Sequence, residues 1–135
     1  MNFMLSERSL NRLKDVNPNL INLCLLAIKR SPIDFGIAYQ GGHRTAEEQN
    51  QLFKDGFSQR DGYEKQSNHQ TGNAIDINVF VDSKMIENKE MLCVVAGVFF
   101  ACAAEMGIKI RWGLDWNQNG DIRDNKFNDQ YHIEL

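Results

Sequence analysis

The chain has 135 residues, 42% of them hydrophobic and 24% charged, with a formal net charge of −3. That length supports one folded core and not two, and the balance of apolar and charged residues sets aside a disordered chain. A slightly acidic total without a basic stripe sets aside nucleic acid as a partner.

The N-terminal stretch MNFMLSERSLNRLKDV has no continuous apolar segment of the kind a secretory signal carries. A first helix is predicted over 6–16 with Ser6 as its cap, and a second over 18–30, opened by Asn17 and Pro18 and closed before Pro32. DFGIAYQ (34–40) alternates and reads as a strand. TAEEQNQLFKDG (45–56) reads as a helix with a capping box, Thr45 to Glu48, and a glycine stop at Gly56. Residues 57–68 are polar and loop-like, and AIDINVFV (74–81) alternates as a strand. Residues 88–106 contain the most apolar run, MLCVVAGVFFACAA, which is shorter than the ~20 residues of a membrane span and reads as a core helix. IKIRWG (108–113) is a further strand, an Asx-rich loop follows, and YHIEL closes the chain as a last strand. Helices at the start and between short scattered strands predict an α+β domain, with helices on one face of a small, mostly antiparallel sheet.

Three cysteines, Cys24, Cys93 and Cys102, form no CxxC pair and sit in apolar helical surroundings, so they are expected as buried thiols in a reducing compartment. The protein is accordingly expected to be made in the cytoplasm as a soluble monomer with no membrane insertion.

The chemistry concentrates around SNHQTGNAID (67–76) and the C-terminus. On the strand 74–81, Asp76 shares a face with Ala74 and Asn78, away from Ile75, Ile77 and Val79. Taken alone, that acid reads equally as a solvated residue on an exposed face. NDQYHIEL adds His132 with Asp129 three residues before it. His69, Asp76 and His132 together make a His₂-carboxylate set, the donor set of a catalytic zinc site that keeps a fourth position for water. Asp129, outside that set, is the candidate general base.

The pattern S-x-H-x-x-G-x-A-x-D, written here by Ser67, His69, Gly72, Ala74 and Asp76, resembles the signature of the LAS-type zinc peptidases. That group includes D-Ala-D-Ala carboxypeptidases and dipeptidases, and phage L-alanyl-D-glutamate endopeptidases. The acid three residues before the last histidine, Asp129 before His132, matches its second signature, and GGHRTAEEQ (41–49) matches a third that carries an arginine, Arg44. The resemblance spans roughly residues 34–135, a catalytic core preceded by a helical part at 1–33. It implies that His69, Asp76 and His132 bind Zn²⁺, that Asp129 is general base and then acid, and that Arg44 faces the substrate. Ser67 is expected to contact substrate or to hold the His69 turn, and His43 to be a surface neighbour rather than a ligand. Many relatives use glutamate where this chain has Asp129, and dipeptide-specialised ones carry tryptophan where this chain has Tyr131. The single-domain phage endolysin branch fits best, with bacterial peptidoglycan as partner, the L-Ala–D-Glu bond as target, and action at the wall once the membrane has been permeabilised. The alternatives are a D,D-carboxypeptidase or D-Ala-D-Ala dipeptidase, and, in another class, a zinc-containing cell-wall binding module without turnover.

DWNQNGDIRD (115–124) offers oxygen side chains at Asp115, Asn117, Asn119, Asp121 and Asp124 with Gly120 at the sixth place, which resembles the first half of an EF-hand loop. Lys126 stands where the bidentate glutamate belongs. The two expectations are an Asx-rich turn and a weak Ca²⁺ site.

Overall fold

Residues 2–135 are described by the computed structural model. Helix α1 (Glu7–Arg12) starts where the Ser6 side chain accepts from the amide of Ser9. It ends at Arg12 rather than residue 16, because the chain turns down to Asp15, which takes a left-handed φ of 66°. Helix α2 (Pro18–Arg30) has the predicted limits: the Asn17 side chain caps the amide of Asn19, Pro18 occupies the first turn, and Leu20, Leu23, Cys24, Ala27 and Ile28 form its buried face. Strand β1 (Asp34–Ile37) is followed by α3 (Ala46–Lys54), whose capping box from Thr45 to Glu48 is fully formed.

Strand β2 (Ala74–Val81) has the predicted span and pairs antiparallel with β1, with β3 (Lys84–Ile86) and with β5 (His132–Glu134). The long helix α4 (Lys89–Met106) ends at Gly107, which adopts a left-handed φ of 71°, and β4 (Arg111–Trp112) adds to the outer edge of β5. The order β1–β2–β5–β4, antiparallel at every pairing, is the predicted α+β arrangement.

Alternation along the strands decides which face is dry. Ile75, Ile77 and Val79 of β2 and Ile133 of β5 are fully buried, and they join one cluster with Leu20, Leu23 and Ala27 of α2 and with Val95 and Phe99 of α4. Phe35 of β1 meets Phe99 with ring centroids 5.2 Å apart. Each such side chain contributes about 1.5–3 kcal/mol by leaving water, so the register of β2 is firmly specified.

Three strands depart from expectation. The one predicted over 34–40 stops at Ile37, before the chain turns at Gln40 with a left-handed φ of 54°. The β2–β3 hairpin turns at Asp82 and Ser83, both at positive φ (50° and 65°), and lacks the Asn-Gly pair that makes such a turn visible in a sequence. The strand predicted over 108–113 keeps only Arg111 and Trp112 in the ladder. Cys24 and Cys102 are buried as expected, whereas Cys93 is half-buried, and Val94 and Phe100 of α4 face outward.

Candidate metal centre and active-site cleft

The site is assembled by sheet register. In the β2–β5 pairing Asp76 stands opposite His132 and Ala74 opposite Glu134, while in the β4–β5 pairing Arg111 stands opposite Glu134. Period-two alternation puts these side chains on the face away from Ile75 and Ile133. Two ladder rows therefore hold the chemistry: Asp76 with His132, and Ala74 with Glu134 and Arg111.

His69 arrives from the turn before β2. The Ser67 hydroxyl accepts from the His69 amide, and the Gly72 amide bonds back to the His69 carbonyl. Gly72 sits at φ +76°, where a side chain is disfavoured, and a Cβ there would lie 2.6 Å from the Asp15 carbonyl oxygen. The serine, histidine and glycine of the motif are thus one local device that aims the imidazole at the strand. Ser67, expected on substrate or on this turn, is on the turn and also borders the cleft.

The three expected ligands converge. Nε2 of His69 lies 3.4 Å and Nδ1 of His132 3.3 Å from Oδ1 of Asp76. Ligand atoms about 2.0–2.1 Å from a tetrahedral zinc ion lie about 3.3–3.4 Å apart, so these edges fit that geometry. Among the described residues, this is the one group of three or more His, Cys, Asp or Glu side chains whose ligand atoms come within 4.8 Å of one another. Each imidazole has its outer nitrogen engaged: Nδ1 of His69 meets the Gly42 carbonyl at 2.9 Å, and Nε2 of His132 meets Oε1 of Glu134 at 2.8 Å. Both inner nitrogens are thereby directed at the same carboxylate oxygen, an arrangement that favours a cation between them. Gly42 is obligatory for this, since a Cβ would lie 1.9 Å from the Arg12 carbonyl oxygen.

Charge agrees with geometry. Burial alone would raise the Asp76 carboxyl, but hydrogen bonds and charge from His132 and His69 hold it well below the usual carboxylate range. Burial alone would lower His132, yet Asp76 and Glu134 push it up to about 9. A proton at Nδ1 then occupies the place a metal ion would take and must leave when the ion binds.

Asp129 is brought in by a turn in which the His132 amide bonds to the Asp129 carbonyl at 3.1 Å, which accounts for the three-residue spacing. Its Oδ2 lies 4.0 Å from Nδ1 of His132, outside the triangle. Burial and the neighbouring Asp76 charge raise its pKa above the ordinary aspartate value. The turn packs directly on Gly113, where a Cβ would stand 1.9 Å from the Asp129 carbonyl oxygen.

Arg44 is more engaged than expected of a purely substrate-facing group. It donates from Nε to the Gln40 carbonyl, from Nη1 to Gln49 and from Nη2 to Oδ2 of Asp76, at 2.7, 3.0 and 3.0 Å. Gln49 is fully buried and also bonds Ser58 and the Arg60 carbonyl, so it links the Arg44 turn to the cleft wall. His43 is not one of the three clustered residues and borders a separate surface hollow with Tyr39 and Glu48.

Glu134, Gln49 and Trp116 were not singled out from sequence. Glu134 had a signal, because it lies two residues after His132 on a strand and therefore shares its face. Trp116 lies over the Arg111 guanidinium and against the His132 ring, with 5.1 and 5.4 Å separations.

The Asx-rich loop folds on its own hydrogen bonds. The Asp115 carboxylate accepts from the amides of Asn119 and Gly120, Asp121 pairs with Arg123, and Asn117 and Asn119 bond Asp124. That is the Asx-rich turn expectation, and nothing in this geometry adds support for Ca²⁺.

The triangle opens on a cleft of about 410 Å³ bordered by Phe57, Arg60, Arg111, Trp116, Phe127 and Asp129. A hollow of similar volume beside α1 and β1 contains none of the site residues.

A His₂-carboxylate triangle with buried imidazoles and a separate carboxylate beside it, next to an open cleft on an antiparallel sheet, is a donor set that could hold a metal ion, of the kind hydrolytic metal sites use. The model of the phage L-alanyl-D-glutamate peptidase family matches residues 1–135, and the chain belongs to that family. It is 34% identical over 139 residues to an L-alanyl-D-glutamate peptidase of Escherichia phage T5, covering 100% of this chain and 99% of that one. The crystal structure of a Serratia marcescens L-Ala D-Glu endopeptidase, ChiX, superposes with a TM-score of 0.79 at 25% identity, covering 98% of this chain and 90% of that one. An L,D-carboxypeptidase, DacB, from Streptococcus pneumoniae shares the fold with a TM-score of 0.51 at 19% identity, over 93% of this chain and 68% of that one.

Proposed function

We propose that this chain is a zinc-dependent endolysin that hydrolyses the L-Ala–D-Glu bond of peptidoglycan stem peptides. The observation that carries this reading is the triangle of His69, Asp76 and His132, with edges of 3.3 and 3.4 Å and Asp129 beside it, in a chain matched over its full length by an L-alanyl-D-glutamate peptidase family. The chemistry of the donor set, two neutral imidazoles and one carboxylate, suits zinc better than a hard oxygen-seeking cation.

His69, Asp76 and His132 would hold the ion. When bound, zinc supplies Lewis acidity toward the scissile carbonyl and lowers the pKa of water at its open position to about 7. Asp129 accepts the proton of the attacking water and returns it to the leaving amine. Its position suits that role, with Oδ2 4.0 Å from Nδ1 of His132, beside the ligand set and outside it. Arg44 holds Oδ2 of Asp76, which leaves Oδ1 for the metal. Three of its five N–H groups are engaged, and the remaining two serve a substrate carboxylate or the developing oxyanion. Ser67 holds the His69 turn at the cleft edge. The substrate is met once the membrane enclosing the protein has been permeabilised; among the described residues no helix is long and apolar enough to cross one.

Purified protein loaded with zinc should release new amines from isolated sacculi, and His69→Ala or Asp129→Asn should abolish that release. Sacculus binding without cleavage by the zinc-loaded wild type would instead support a non-catalytic wall-binding module, and undiminished cleavage by either variant would remove the mechanism.

A further inference from the structure

Glu134 is 5% exposed, a burial that a carboxylate tolerates only with firm partners. Its two oxygens are divided between two donors. Oε1 lies 2.8 Å from Nε2 of His132, and Oε2 accepts from Arg111 at 2.6 Å through Nη2 and 3.2 Å through Nε. The Arg111 guanidinium is in turn covered by the Trp116 ring. Register fixes the whole row: Glu134 stands opposite Ala74 on one side, whose methyl leaves room above the strand, and opposite Arg111 on the other.

We propose that Glu134 is a positioning residue for the metal centre: it accepts the Nε2 proton of His132 and so fixes the ring in the tautomer whose Nδ1 is the ligand. Two features require such a residue. His132 meets Asp76 through Nδ1, so Nε2 must carry the proton, and a histidine free to choose its tautomer would present the wrong state part of the time. The ring also lies at the first residue of a strand only three residues long, and the ladder fixes its backbone but not the ring's tautomer. Arg111 keeps Glu134 aligned, since its Nη2 and Nε both donate to Oε2 and leave Oε1 turned to His132. The order of action is Arg111 on Glu134, Glu134 on His132, His132 on the ion. This inference rests on the metal reading above.

The test measures zinc affinity of folded, metal-free protein by competition with a chromophoric chelator, together with the imidazole ¹⁵N spectrum of the zinc-loaded form. Wild type should bind one zinc and show His132 with its proton on Nε2. Glu134→Leu should bind zinc about 10–100-fold more weakly and lose the single-tautomer signature. Glu134→Gln, which keeps an acceptor at the same place, should recover most of the affinity and restore the Nε2–H signal. Should Glu134→Leu fail to fold, Glu134→Asp withdraws the acceptor by one methylene and carries the same expectation. A folded Glu134→Leu or Glu134→Asp protein with wild-type zinc affinity and an unchanged ¹⁵N spectrum would overturn the inference and leave the metal reading intact. A wild type that binds no zinc would overturn both.

Discussion

Replacing Gly113 by alanine should displace the general base while leaving the three metal ligands in the chain. An added Cβ would stand 1.9 Å from the Asp129 carbonyl oxygen, 2.8 Å from its carbonyl carbon and 3.0 Å from its Cβ. An ordinary carbon–oxygen contact needs more than ~3 Å, so the Asp129 peptide must retreat by about 1 Å or more. The Asp129 amide donates to the Gly113 carbonyl at 2.9 Å, and that bond tethers the turn to the residue that would now repel it. Overpacking of this kind costs about 1–3 kcal/mol, which at roughly 3–4 °C per kcal/mol for a domain of this size lowers the thermal midpoint by about 3–12 °C. Misplacing the base by ~1 Å should lower kcat/KM about 100-fold, or about 2.7 kcal/mol of transition-state stabilisation. Calorimetry, amine release from sacculi and zinc content by mass spectrometry give the three readings on one preparation. A folded Gly113→Ala protein with wild-type kcat/KM would refute the argument that this close approach sets the position of Asp129.

Gly97 provides the opposite case: it lies inside α4, and a Cβ there meets nothing within 4 Å. Gly97→Ala should therefore raise stability by about 0.5–1 kcal/mol without touching activity, and a lowered thermal midpoint would contradict the open surroundings assigned to it. In metal-free protein, His132 has a folded pKa of about 9 against an ordinary 6.5. A raised pKa contributes stability that is complete below the unfolded value and is lost as pH rises through the folded one, so the midpoint of chelator-treated protein should fall between about pH 6.5 and 9. A flat profile across that window would remove the proposed pairing of His132 with Asp76 and Glu134. Burial pushes the Cys24 thiol up to about 12. A disulfide reagent at pH 8 should leave Cys24 unmodified in native protein and reach all three cysteines in denaturant; rapid native reaction at Cys24 would contradict its burial.

Where local chemistry governs, the sequence was readable. The cap of Asn17 with Pro18, the capping box from Thr45 to Glu48 and the Gly107 stop mark helix ends that recur in the structure, because each depends on residues within a single turn. The alternation of β2 correctly turned Asp76 away from Ile75 and Ile77, since one face of that strand must be dry. Asp76 facing His132 across β2 and β5 depends on strand register, which local patterns do not reveal; their grouping was available from the spacing of the motifs. Gly42 and Gly113 were invisible for the same reason, as each is dictated by a carbonyl oxygen far away in the chain, of Arg12 and of Asp129. Arg44 illustrates a further limit. Its motif marks a cation near the site, but its bonds to Asp76 and Gln49 arise only when three separate segments meet. Glu134 was within reach of period-two reasoning applied to YHIEL, and Asp82–Ser83 was not, because neither residue announces a positive φ.

The identity of the bond cut is the most direct test of the central claim. Sacculi digested with zinc-loaded protein, labelled at new amines and resolved by mass spectrometry, should yield stem peptides that begin with D-Glu, and chelation or Asp129→Asn should suppress them. Release of free D-Ala, with no fragment beginning at D-Glu, would instead define a carboxypeptidase and contradict the account.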